Sequence, residues 1–211
     1  MTMRPVYYDF APAAEDTNGF ANDVTAASGQ PFTLAATVSG DDLAHKVVIT
    51  PSGSVTGNYT ISGLDADGQT QSETLATDTV NAVTSVNYYS SLTSVLAPSG
   101  LGAGTVDIGW ADEFCSQTIP VEVFVKEGPP NCQVTLTGTA NFDIEDTLSD
   151  IRASYSPPPG QNDYTWLNDA NFTAKSASLA VALAVIARAI RLVVNSYTTG
   201  ATLQLAIVTP R

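Results

Sequence analysis

The chain has 211 residues and a mass of 22.0 kDa, enough for one large or two small domains, each with a core of its own. Charged residues make up 14% of it, against about 25% in an average soluble domain, and Thr, Ser, Gly, Ala and Asn take their place. Its 21 acidic and 8 basic side chains give a net charge of −13, which argues against a general nucleic-acid binder, because neutralising phosphates takes Lys and Arg.

The first residues, Met1-Thr-Met-Arg-Pro-Val-Tyr-Tyr-Asp-Phe10, lack the basic start and apolar run of about 7–15 residues that mark a secretory signal. The expectation is folding in a reducing cytosol, where Cys115 and Cys132 stay unpaired. Residues 1–30 are polar, small and acidic, with no sustained period. They are expected to form an extended arm with one short strand near Tyr7 and Tyr8, ordered against a neighbouring subunit.

From Pro31 the pattern is that of β-structure. Phe32–Val38 is rich in β-formers and partly alternates, and Lys46–Thr50 is β-branched and ends at the turn signal Pro51-Ser-Gly53. Asn58–Leu64 and Gln69–Leu75 flank Asp65-Ala-Asp-Gly68. This predicts a hairpin, because Asp67 and Gly68 both tolerate the positive φ that a tight β-turn demands. Further strands are expected at Ala82–Tyr88, Leu92–Leu96 and Thr105–Trp110, with the flexible Pro98–Gly104 between the last two. Residues 111–118 read as a joint between two halves.

Beyond it, Ile119–Val125 alternates, with Pro120 turned away from the apolar face as in an edge strand or a strand start. Gln133–Gly138 and Phe142–Ile144 continue as strands, Pro157–Gly160 is a stiff loop, and Trp166 is expected to enter a second core. Leu179–Val194 imitates a membrane span, but it has 16 residues and includes Arg188 and Arg191. A spanning helix needs about 20 mostly uncharged residues, and an arginine at the bilayer centre costs about 2.5–3.5 kcal/mol. Buried core is the expectation. Residues 174–187 contain good helix formers and stay open between helix and strand, whereas Ala189–Val194 is better as a strand. Ala189–Val194 and Thr202–Val208 are expected to pair as a terminal hairpin. Leu92–Trp110 aligns without gaps over Ile190–Val208, placing Gly102-Ala103 on Gly200-Ala201, which is consistent with two β-domains and a duplication.

The search for chemistry finds little. His45 is the only imidazole, and its nearness to Asp41 and Asp42 in sequence is no triad signature, so a structural histidine is favoured. Counting a calcium loop from Asp65 puts glycine at position 4 and Ala76 at position 12, which favours the hairpin turn. Asp112-Glu113 and Asp143, Glu145, Asp146 and Asp150 read as solvated turn residues rather than ligands of a divalent cation between subunits. Nothing singles out two of the acids as a pair for glycoside cleavage. Tyr88, Tyr89, Trp110 and Trp166 read as core or inter-domain aromatics ahead of sugar platforms. No catalytic, cofactor-binding or metal-binding residue is assigned.

Several segments carry a resemblance. Asp42–Thr50, Tyr59–Gly68, Ser72–Thr74, Val83–Tyr89, Thr93-Ser94 and Thr105–Gly109 resemble a family of small β-rich virion structural proteins of tailed bacteriophages. Thr165-Trp166, Leu167–Asp169, Thr173–Lys175, Ala189–Ser196 and Gly200–Val208 resemble a companion module. Together they span most of the chain from residue 42 onward, with gaps. The Ala-rich 176–187 departs from the family, which has a Gly-rich turn and an apolar strand there. The resemblance implies a role in the particle, as capsid decoration or cement, neck or tail protein, with no catalytic residues.

The sequence therefore leads to a mainly β fold of two tandem antiparallel β-sandwich or jelly-roll-like modules, with an arm at 1–30, a first module at 31–113 and a second at 114–211. The expected function is that of a non-enzymatic bacteriophage virion protein, assembled in the host cytoplasm into symmetric homo-oligomers on the capsid or at the head–tail connector or tail. Its expected partners are copies of itself and the major capsid, portal or tail proteins, with no cofactor, nucleic acid or membrane. The alternative is a host-surface or carbohydrate-binding adhesin module.

Overall fold

The computed structural model describes residues 5–102, 104–121, 128–149, 151 and 160–208. Among the described residues are fifteen β-strands, one 3-10 turn at Gln161–Asp163 and no α-helix, so the mainly β expectation holds. The chain divides into two compact units, one of Glu15–Phe114 and one of Met1–Ala14 with Cys115–Arg211. The segment expected as an arm thus contributes to both. It holds two strands, β1 (Val6–Phe10) and β2 (Asp16–Val24), where one was expected, and both pair with strands of their own chain. Phe10, Phe20 and Ala21 are buried, and this apolar contribution is what an arm read as polar and aperiodic conceals.

In the Glu15–Phe114 unit, β8 (Val106–Cys115), β3 (Ala44–Pro51) and β6 (Val83–Tyr89) lie side by side, with β2 pairing onto β8. A three-stranded sheet has the order β5 (Thr70–Ala76), β4 (Asn58–Leu64), β7 (Ser91–Leu96). Alternate residues of β4 are buried, including Tyr59 and Ile61, and they share the core with Val47, Ile49, Val95 and Ile108. Residues 111–115 extend β8, because Ala111, Phe114 and Cys115 are buried, and the division between the two units falls within the expected joint, between Phe114 and Cys115. Phe32–Val38 is not a strand. It is a strap whose Phe32 N–H donates to the Val95 carbonyl (2.9 Å), while Thr37 O accepts from Leu92 N–H (2.8 Å). Its β-formers bury Phe32 without entering a ladder.

The β4–β5 hairpin forms in full register from Asn58↔Ala76 to Leu64↔Thr70. At its turn Gly68 takes the positive φ (+74°) that the tight return demands. Gly68 N–H donates to Asp65 O (3.1 Å) and Asp65 N–H to Gln69 O (2.8 Å). That is a three-residue loop closed by a glycine bulge. The Asp65 carboxylate fixes it by accepting from Asp67 N–H (2.9 Å) and Gln69 N–H (2.8 Å).

In the other unit, a four-stranded antiparallel sheet has the order β1, β15 (Thr202–Val208), β10 (Asn131–Thr137), β13 (Leu179–Ala182). A second group runs β12 (Leu167–Asn168), β11 (Ala140–Thr147), β14 (Ala189–Tyr197), with β9 (Ile119–Pro120) against the start of β14. β14 and β15 therefore do not pair as a hairpin. The chain leaves one sheet at Tyr197 and enters the other at Thr202, and β10 and β11 make the same crossing. The two crossings are tied together by Thr198 N–H donating to Thr139 O (3.0 Å). Cys132, Val134, Leu203, Leu205, Phe142, Ile144 and Leu192 fill the interior.

The segment 179–194, expected as buried core, resolves into β13, a loop and β14; Leu183, Ala187 and most of β14 are buried, whereas Ala180, Ala184, Val185 and Ile186 are exposed. No helix among the described residues is long and apolar enough to cross a membrane. Trp166 is half-buried and does not enter the core as expected. Of the strand expected at 119–125, the described part is β9, and residues 122–125 lie outside the described residues.

Candidate functional site

His45 opens β3 and is buried, and its Nε2 lies 2.8 Å from Asp41 Oδ2. The other Asp41 oxygen accepts from Ser39 Oγ and from the Leu43 N–H (3.1 Å). A hydrolytic triad needs the imidazole between hydroxyl and carboxylate, so that it can take the hydroxyl proton. Here the carboxylate is in the middle and fixes the turn into β3. Ser39 Oγ meets the carboxylate and not the imidazole.

Asp112 and Glu113 lie on β8 and Asp143, Glu145 and Asp146 on β11, with Asp143 and Asp146 buried, so the reading as solvated turn residues does not hold; several of these carboxylates, and Asp169, which sequence reasoning did not single out, hold other groups of the chain. Asp143 accepts from the Ala174 N–H and from Asn195 Nδ2 (2.7 Å), holding Ala174 at φ +51°. Asp169 accepts from the N–H groups of Asn171 (2.8 Å) and Ala184 (2.6 Å). Glu145 receives Arg191 through Nε and Nη2, both at 2.7 Å, and Glu113 receives Lys46. Asp146 is buried. Desolvation, followed by the charges of Asp169 and Glu145, raises its pKa. Asp150 lies outside the described residues. No group of three or more His, Cys, Asp or Glu among the described residues is placed to hold a metal ion.

Gln161 is a node that sequence reasoning missed, since a lone Gln after a Pro-rich loop carries no signal. It is buried. Its Nε2 donates to Ser116 O (2.9 Å), its Oε1 accepts from Arg191 Nη1 (3.0 Å), and its main-chain carbonyl accepts from Trp166 Nε1 (2.9 Å). Arg191 in turn lies over the Trp166 ring, 4.6 Å from its centroid. Lys46 covers Tyr88 in the same way at 5.3 Å. Tyr89 and Trp110 are buried, the latter edge-on to Phe20 at 5.0 Å between centroids. The four aromatics named as sugar platforms are thus in the core or carry a cation over the ring.

Cys115 and Cys132 are both buried, and Cys115 Sγ donates to Gln161 Oε1 (3.4 Å). Burial, then the charge of Asp169, pushes Cys132 up to about 12. Burial also raises Glu73 above the usual carboxylate range, although it accepts from the N–H groups of Asn87 (3.0 Å) and Val86 (3.2 Å). Those two bonds cap polar groups of β6 that would otherwise offer a pairing edge.

The hollows open on outer sheet faces. Two of them, of about 290 and 330 Å3, lie on the four-stranded sheet, and one of about 400 Å3 lies on the three-stranded sheet. Thr, Ser, Gln and Ala supply most of the residues in their walls.

No protein-family model matches the chain, and no curated protein matches it. Among solved structures, it is similar to the major capsid protein P2 from bacteriophage PM2 at 9% identity, over 98% of this chain and 97% of that one, with a TM-score of 0.22. A putative secreted protein from Parabacteroides distasonis is similar at 12% identity over 99% and 92%, with a TM-score of 0.25.

Proposed function

We propose that the chain is a non-enzymatic structural protein of a bacteriophage virion. In this reading it assembles with copies of itself, and with major capsid, portal or tail proteins, on the capsid as decoration or cement or at the head–tail connector or tail. The observation that carries the reading is the use made of the polar side chains. Asp41, Asp65, Glu73, Asp143 and Asp169 hold main-chain N–H groups, and Gln161 and Glu145 hold Arg191. This is the pattern of a scaffold with rigid loops. The sequence resemblance supports the phage setting. The net charge of −13 keeps free subunits soluble and favours a place away from packaged DNA. Because their rings are occupied, Tyr88 and Trp166 give the carbohydrate-binding alternative no added support.

Mass spectrometry of purified mature particles tests the proposal. The protein is expected as a stoichiometric component. Hundreds of copies indicate the capsid lattice, and six, twelve or a small multiple indicate the portal–tail axis. Its absence from mature virions refutes the proposal.

A further inference from the structure

Strand β2 carries the one Asn-Gly pair of the chain, Asn18-Gly19, and three features of the Glu15–Phe114 unit make that pair chemically labile. The first is the reason a glycine stands there. A Cβ at residue 19 would lie 2.3 Å from Trp110 Cζ3 and 2.5 Å from Trp110 Cη2, and Trp110 is itself buried. The indole fills the space of a side chain, so the packing of β2 on β8 requires glycine at 19. A side chain at 19 would crowd the approach of its own main-chain nitrogen to the Asn18 amide, and glycine leaves that approach open.

The second feature is the local backbone. β2 pairs with β8 at Asp16↔Trp110 and next at Ala21↔Ile108. Residues 17–20 of β2 therefore span the same stretch as Gly109 alone, as a bulge. Within it the Asn18 N–H turns to Asp16 Oδ1 (3.1 Å). Asn18 is exposed, and its Nδ2 donates to Asn22 Oδ1 (3.3 Å). The bulge frees this stretch from the flat ladder geometry that holds a side-chain amide away from the following nitrogen.

The third feature is the lack of slack beneath. Asp16 O, Thr17 C and Asn18 N all fall within 2.7 Å of where a Cβ on Gly109 would be. Main chain rests on main chain there, and Phe20, just beyond, is buried edge-on to Trp110. An added backbone atom has no space.

We propose that Asn18 is a site of spontaneous deamidation in the folded protein, with water as the co-reactant, and that the isoaspartate product releases β2 from Trp110. Solvent base takes the Gly19 N–H proton, the nitrogen attacks Asn18 Cγ, and the side-chain amino group leaves as ammonia with a proton from water. Water then opens the cyclic imide at either carbonyl. Attack at the side-chain carbonyl breaks the new C–N bond and leaves aspartate. Attack at the main-chain carbonyl breaks the original peptide bond and leaves isoaspartate, whose backbone runs through Cβ and is longer by one carbon. The sum is one water consumed and one ammonia released. Both products set a new carboxylate near Asp16. Isoaspartate also lengthens the main chain where it is pressed between Trp110 and Gly109.

Mass-spectrometric peptide mapping of the purified full chain tests this, with the protein held folded at mildly alkaline pH, sampled over time, and compared with a urea-unfolded sample. The expected result is conversion at Asn18 at least tenfold faster than at Asn22 or any other asparagine. The folded chain should convert within about tenfold of the unfolded one, and faster as pH rises. Fragmentation across the altered backbone identifies the isoaspartate. In urea titrations followed by tryptophan emission, the aged wild type gains an earlier transition in proportion to its isoaspartate content. Asn18→Gln aged in parallel gains none, because its longer side chain closes a ring far more slowly. The inference is overturned by an Asn18 that stays intact in the folded chain while the unfolded chain converts, or by conversion no faster than at Asn22. Isoaspartate that unfolds together with the unmodified chain, or the same early transition in aged Asn18→Gln, overturns it equally.

Discussion

Gly109 is the point at which the fold of the Glu15–Phe114 unit is most exposed to a single methyl group. Strand β2 crosses directly over it. A Cβ at 109 would lie 1.9 Å from Asp16 O, 2.4 Å from Thr17 C and 2.7 Å from Asn18 N. All three are main-chain atoms, so no side chain can swing away. Reaching ordinary contact at 3.4 Å requires β2 to move by about 1.5 Å. That shift disturbs the pairing of Asp16 with Trp110 and the edge-to-face contact of Phe20 on Trp110. Overpacking alone costs about 1–3 kcal/mol. Partial exposure of Phe20 adds to it, since full burial of such a side chain is worth about 1.5–3 kcal/mol. Gly109→Ala is therefore expected to destabilise the unit by about 3 kcal/mol.

The assay is urea unfolding followed by tryptophan emission in a Trp166→Phe background, where Trp110 becomes the sole indole and reports its own unit. With a slope of about 2 kcal/mol per molar urea, the midpoint falls by roughly 1.5 M. Gly53→Ala is the control. Its Cβ would meet nothing nearer than Gly104 Cα at 3.9 Å, and a change within about 0.5 kcal/mol is expected. If Gly109→Ala unfolds within about 0.5 kcal/mol of the parent, β2 does not lie over Gly109 and the argument is wrong.

Three further outcomes are expected. Asp146 is held above its ordinary range by burial and then by Asp169 and Glu145, so the folded state binds its proton more tightly than the unfolded chain does. That contribution is complete below the unfolded pKa of about 3.9 and is lost as pH rises through the folded value. Asp146→Asn should raise the denaturation midpoint at pH 7, with the gain vanishing below about pH 4; an equal gain at both pH values would contradict the assignment. Ala174 sits at φ +51°, a region that costs an L-residue roughly 1–2 kcal/mol. Ala174→Gly should stabilise by about 0.5–1 kcal/mol in calorimetry, and a loss of stability would show that the methyl matters more than the backbone. Cys132, pushed up to about 12, should resist a disulfide reagent in the native protein at pH 8 and react once urea unfolds it. Rapid native labelling would count against its burial.

The strands were legible where side chains alternate between a wet and a dry face. Asn58–Leu75 is the clear case, because its Asp-Ala-Asp-Gly turn states both the register and the direction of the return. Phe32–Val38 was misread because its β-formers satisfy a main-chain strap as readily as a ladder, and propensity does not tell the two apart. The segment 174–187 stayed open because alanine suits a helix and a narrow edge strand alike. Gln161 was invisible because its importance comes from Ser116, Trp166 and Arg191, which are distant from it in sequence and adjacent in the fold.

The two aligned segments show what alternation can and cannot report. Leu92–Trp110 and Ile190–Val208 each present two β-rich arms about a glycine turn, and a hairpin is the local reading of both. In the structure neither pair of arms bonds to itself. β7 joins β4 while β8 joins β3, and β14 joins β11 while β15 joins β10. Period-two burial specifies which face of a strand meets the core, but it is silent on which neighbour fills the hydrogen-bonding edge. In a two-layer β-fold an arm that crosses to the opposite sheet buries the same residues as one that folds back beside its partner. The choice then falls to the connection. At 198–201 the bonds from Ala201 N–H to Thr198 O (2.9 Å) and from Thr198 N–H to Thr139 O tie the crossing to the neighbouring β10–β11 crossing, not to a β14–β15 ladder. The resemblance between the two segments therefore survives as shared topology. Each is a crossing between layers, and each frees two strand edges for distant segments of the chain to occupy.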